Sequence, residues 1–323
     1  MIIIFMERCF CGFMRISILI LFFATIGFCD SLPLGKFKGL KGDDPTCPPG
    51  FTCRQFKVSC SGIPDARGVY SYLAASNPTA AVILFSGGGG SSWWSTSDQN
   101  LPAFVTRLVN RQISVLQVRW IQNWLVSVPG VRAGPAKLAC RPATVISHLY
   151  KKFRPATNHL IITGNSGGAS QVSYPLAYYG LDPIVDVLIP TGGPPHSALQ
   201  KSCLQKSKEN LYWYNDDIRK FIDQGFGFFS ISGPCLLHNR TFIQRWKQAS
   251  VAYGGDNYTY PNTKVRLIIG EEDIKMETVS NDYVTRLMNS GTPVEIQVVH
   301  GVGHAITSFA AGRKALFNAI TKR

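Results

Sequence analysis

The chain has 323 residues, 45% of them hydrophobic and 16% charged, with a formal net charge of +14. That apolar content can fill a sizeable core, which excludes a disordered or coiled-coil chain. Lys and Arg form no run long enough for a nucleic-acid patch, although a basic surface can still draw a protein toward membranes and other anionic surfaces.

At the amino end, Arg8 and Arg15 precede an apolar run, Ile16 to Phe28, broken only by Ser17, Thr25 and Gly27. Thirteen residues are short of the about 20 that a membrane-spanning helix needs. They suit the core of a signal peptide, with Gly27 and Cys29 placed for cleavage before Asp30. The expectation is a secreted, extracellular protein that loses residues 1–29. Cys47, Cys53, Cys60, Cys140, Cys203 and Cys235 then remain, an even set that suits disulfides in an oxidising compartment. Cys203 and Cys235 are the preferred pair because they share one inserted segment, and the pairing of the other four stays open. Asn239-Arg-Thr241 and Asn257-Tyr-Thr259 are glycosylation sequons, in keeping with export.

Residues 30–53 are rich in Gly, Pro and Lys without periodicity, a leader tied down by the first cysteines. Strands are expected at 54–60 and 68–75 as an antiparallel pair, then at 80–85, 113–118, 159–163, 184–190, 264–270 and 294–300. Helices are expected at 99–111, 135–153, 167–180, 275–290 and 304–321. This alternation predicts an α/β chain, with a mostly parallel sheet and helices on both faces. Residues 191–262 interrupt it and are too long for an ordinary connection, so they form an inserted cap on a core of 54–190 and 263–323.

Strand "HLIIT" runs directly into "GNSGG", where Gly164, Ser166 and Gly168 fit G-x-S-x-G. A serine on so tight a strand-to-helix turn has crowded neighbours, which glycine two residues to either side relieves. Its hydroxyl needs a base, and the base needs an orienting acid. Asp273 follows one later strand and His304 follows the next, and in a parallel sheet both loops open at the edge where Ser166 sits. Glu271 and Glu272 rival Asp273, and His300 rivals His304; position after the strand favours Asp273, and the glycine-bracketed loop that presents it favours His304. The histidines show no metal-ligand clustering, so no metal is expected.

The segments "ILFSGGGG", "GNSGGA", "LIIGEED" and "VVHGVGHA", in that order, resemble the α/β-hydrolase superfamily over residues 54–323. The resemblance implies a Ser166–Asp273–His304 triad that acts on an ester-containing substrate through an acyl-enzyme, without a cofactor. It also implies an oxyanion hole made by the amide of Gly167 and one from the glycine loop. Many relatives begin that loop with His-Gly where this chain has Ser86-Gly87, so Gly88 is chosen with Gly87 or Gly89 as alternatives. Trp93 and Trp94, next in the chain, are candidates to line the substrate pocket, with core packing as the competing role. The same fold would also serve a catalytically silent binding module, and the same triad a peptidase or an acyltransferase.

Overall fold

The computed structural model describes residues 31–42, 44–153, 159–212 and 214–322, and the expected signal segment lies outside them. Its strands are β1 (Lys36–Gly39), β2 (Thr52–Ser59), β3 (Ala66–Leu73), β4 (Ala80–Phe85), β5 (Ile113–Trp120), β6 (Leu160–Asn165), β7 (Val187–Thr191), β8 (Lys264–Gly270) and β9 (Val294–Val299). The helices are α1 (Leu101–Asn110), α2 (Gly134–Leu138), α3 (Cys140–Phe153), α4 (Gly167–Tyr179), α5 (Leu199–Leu204), α6 (Asp216–Gly225), α7 (Ile243–Gln248), α8 (Ile274–Asn289) and α9 (Ala310–Thr321).

The strands make one nine-stranded sheet in the order β1-β2-β3-β5-β4-β6-β7-β8-β9. Pairs from β1 through β3 to β5 are antiparallel, and every pair from β5 to β9 is parallel. All six residues of β4 are buried, as a central parallel strand with both faces covered requires. Successive side chains alternate between faces. Ile83 and Phe85 join a core with Val145, Ile146 and Val172 of α3 and α4, whereas Val82 and Leu84 join a second core with Phe104 and Leu108 of α1 and Leu316 of α9.

Several elements depart from the expected pattern for identifiable reasons. The single helix expected at 135–153 is two, α2 and α3, parted at Ala139. Pro142 lacks the N–H that would continue a helix and its ring crowds the carbonyl four residues earlier, so a new helix starts just before it. The last helix begins at Ala310 rather than 304, which leaves His304 in a loop. Residues 30–53 are not wholly a leader, because Lys36–Gly39 pair with residues 56–59 of β2 as the sheet's edge strand. Four residues are too few for periodicity to reveal them.

Three disulfides join Cys47 to Cys53, Cys60 to Cys140 and Cys203 to Cys235. The insertion between β7 and β8 holds α5, α6 and α7 and belongs to the same compact unit as the rest of the described chain. It packs on the helical layer: the Tyr174 hydroxyl of α4 donates to Ala249 O at 2.6 Å and that of Tyr178 to Ser250 O at 2.7 Å. Within it the Asp223 carboxylate accepts the amides of Cys235 and Leu236 at 2.8 and 2.9 Å, and burial pushes its pKa up.

Candidate active site

Ser166 stands between the end of β6 and the first residue of α4, with φ 54° and ψ −117°. A non-glycine residue keeps such angles only where its surroundings over-determine them. The flanking glycines show why the turn closes. A methyl group on Gly164 would lie 2.5 Å from the carbonyl carbon of Gly168, and one on Gly168 would lie 2.5 Å from Phe85 O. The Ser166 amide donates to Thr191 O at 2.9 Å, which fixes the turn against β7. Ser166 remains partly exposed, and the amino end of α4 behind it favours negative charge.

Asp273 precedes α8 at the end of β8, and His304 lies in the loop after β9. His304 Nδ1 is 2.7 Å from Asp273 Oδ2, with side chains 45% and 13% exposed respectively, so the imidazole is reachable and its partner sheltered. Of the rivals, Glu271 pairs with His300 and accepts the amide of Gly301 at 3.1 Å. Asn165, just before the serine, donates from Nδ2 to His304 O at 3.2 Å and accepts the Thr191 hydroxyl at 3.0 Å. It therefore ties the histidine loop to the serine turn. Among the described residues no hydrogen bond joins the Ser166 hydroxyl to the His304 ring, and such bonds commonly tighten only when substrate binds.

The glycine loop is a fixed structure, not slack chain. Gly90 N donates to Gly87 O at 3.1 Å, Trp120 N to Gly90 O at 2.8 Å and Trp124 N to Gly89 O at 3.1 Å. The buried Gln171 of α4 holds it from below, donating to Ser86 O at 3.3 Å and accepting Trp120 Nε1 at 2.7 Å. Gly88 has φ +57°, a left-handed conformation that favours glycine, and a methyl group there would meet only open space. Gly88 faces Gly167 closely, since a methyl on Gly167 would lie 2.2 Å from Gly88 O and 2.9 Å from Gly88 N. Among the described residues neither amide has a hydrogen-bond acceptor.

Trp93 and Trp94 do not line an open pocket; each is 3% exposed. Trp93 packs on Cys53 and Val69, donates to the Thr46 hydroxyl at 3.2 Å and lies under the Arg119 guanidinium. Trp94 packs in the second core, its ring centroid 5.5 Å from that of Phe104. Their bulk goes to anchoring the loop. Asn239 is exposed, whereas Asn257 donates from Nδ2, the atom a glycan would occupy, to Asp182 at 2.9 Å. Asn165 and Gln171 escaped the sequence reading because their partners are distant in the chain. Among the described residues no group of three or more His, Cys, Asp or Glu side chains is arranged to hold a metal ion.

No protein-family model matches the sequence, and no curated protein sequence does. Solved structures do. A carboxyl esterase from the mycorrhizal fungus Tuber melanosporum superposes with TM-score 0.54 at 18% identity, over 87% of both chains. Brefeldin A esterase, described as a bacterial homologue of human hormone sensitive lipase, gives 0.55 at 14%, over 87% of this chain and 78% of its own. The chain has the α/β-hydrolase fold. An acylaminoacyl peptidase shares this α/β-hydrolase fold with TM-score 0.55 at 13% identity, over 85% of this chain and 42% of its own.

Proposed function

We propose that this protein is a secreted serine hydrolase that cleaves carboxylic esters through an acyl-enzyme. Ser166 Oγ attacks the ester carbonyl while His304 takes its proton, and Asp273 holds the imidazole in the required tautomer and stabilises its charge. The carbonyl oxygen becomes an oxyanion that accepts from the amides of Gly88 and Gly167. Collapse expels the alcohol, which takes the proton from His304 and leaves Ser166 acylated. Water, deprotonated by His304, then releases the acid and restores the serine.

The observation that carries this reading is the His304–Asp273 pair at 2.7 Å, on a loop that Asn165 ties to the strained serine turn. Esterases of the same fold favour ester chemistry within that class. Export accords with the leader and with three disulfides. The test is Ser166→Ala, which should abolish hydrolysis of p-nitrophenyl butyrate and labelling by a fluorophosphonate while leaving the circular dichroism unchanged. Retained turnover would remove Ser166 from its role. The acylaminoacyl peptidase likeness supports amide cleavage as a second reading, checked with an N-acetylated peptide panel.

A further inference from the structure

At the opposite edge of the sheet from Ser166, where the parallel strands begin, lies a cavity of about 390 Å³. Its floor is apolar, made by Ile113, Ile161, Val187 and Ile320, all members of the second core. Its rim is cationic, with Arg111 from the end of α1, Lys264 from the start of β8 and Lys322 after α9. Lys322 is engaged by Glu295 at 2.8 Å. Arg111 and Lys264 are exposed and neither makes a direct ion pair among the described residues; Lys264 acts at longer range on Glu295, adding to the Lys322 hydrogen bond that holds that carboxylate's pKa down. Among the described residues the one carboxylate on the cavity, Asp186, is already committed: it accepts the Leu160 amide at 2.7 Å and lies 3.5 Å from His159 Nδ1.

An apolar floor under two cations without a directly contacting carboxylate selects for an apolar body with an anionic head. A neutral ligand would leave those cations without a contacting anion, and a hydrophilic anion such as phosphate would leave the floor unfilled. The volume sits at the lower end of the about 300–1,000 Å³ typical of small-molecule sites. From Ile161 to Ser166 is five residues of strand, roughly 17 Å at about 3.3 Å per residue, so a ligand here is clear of the serine. We infer that this cavity binds a small amphiphilic carboxylate, its chain on the isoleucine floor and its head between Arg111 and Lys264. Occupancy needs no turnover at Ser166.

Equilibrium dialysis of the full chain against radiolabelled octanoate tests this directly. Binding is expected at this site, unchanged in Ser166→Ala, at least tenfold weaker in the surface variant Arg111→Gln/Lys264→Gln, and restored toward wild type by Arg111→Lys/Lys264→Arg. Octanamide, equal in length but uncharged, should bind at least tenfold more weakly. Absence of octanoate binding, equal binding of octanamide, or indifference to the double glutamine variant with unchanged circular dichroism would each overturn the assignment.

Discussion

The Asp273 carboxylate lies 2.7 Å from Nδ1 of His304, while Glu271, two residues earlier, turns to His300 and the Gly301 amide. The two acids next to the same loop are thus divided between two histidines. Asp273→Asn keeps the size but permits the wrong imidazole tautomer, and kcat for p-nitrophenyl butyrate should fall by roughly 10³–10⁴. Glu271→Gln should change it less than threefold. A larger loss from the glutamate variant would reverse the assignment.

The close approach of Gly167 to Gly88 makes a second prediction. In Gly167→Ala the new methyl would lie 2.2 Å from a backbone oxygen, so the glycine loop must retreat. Losing one oxyanion donor typically lowers kcat by about 10²–10³, and a loss of that order is expected with KM nearly constant. Steady-state kinetics that leave kcat intact would mean the loop contributes no donor.

Gln171 joins that loop to the serine helix, and both of its hydrogen bonds are buried. Gln171→Leu would strand Ser86 O and Trp120 Nε1 without partners, at about 1–3 kcal/mol each. Urea denaturation should show a loss of about 2–6 kcal/mol, accompanied by a lower kcat in the surviving folded fraction. An unchanged midpoint would show that the loop is held by other contacts.

His196 is fully enclosed, and burial pushes its pKa down to about 3, so it is neutral in the fold. In the unfolded chain it titrates near 6.5, and between those values the unfolded state binds the additional proton. Its neutral burial therefore has no acid penalty above pH about 6.5, and stability declines as pH falls from there toward about 3. Between pH 7.5 and pH 5 the wild type should lose about 2 kcal/mol more than His196→Leu. Parallel acid limbs for the two proteins would refute this.

The disulfides should differ in weight. By loop-closure entropy, the 80-residue separation of Cys60 and Cys140 is worth about 4.5 kcal/mol, and the six-residue separation of Cys47 and Cys53 about 2 kcal/mol. Removing the first pair by paired Cys→Ala changes should lower the thermal midpoint further than removing the second.

The sheet was legible because its strands are short apolar runs and its core helices are strongly periodic. Lys264–Gly270 and Ala80–Phe85 lie where expected to the residue. Ser166, Asp273 and His304 were each marked by local chemistry at a strand end. Trp93 and Trp94 were not legible, since an aromatic residue serves a pocket and a core equally well and only three-dimensional packing separates the two. The same holds for Gln171, whose value lies in reaching Ser86, 85 positions away. The interior of the insertion was equally opaque, because its helices are short and their partners, such as α2 for α6 and α4 for the end of α7, lie far away in the chain.

Every cysteine retained after the expected leader lies at or before position 235, so β8, α8, β9 and α9 carry no covalent cross-link. That segment contributes Asp273 and His304. It also ends the sheet, with Ile296 and Val298 of β9 about half exposed. Ser166, the proposed nucleophile, also lies outside the disulfide-closed loops, but it follows β6, which is paired on both sides within the sheet, whereas the proposed acid and base come from the last two strands at the sheet's margin. Mild denaturation should separate them, silencing turnover by fraying one sheet margin while most of the helical signal persists.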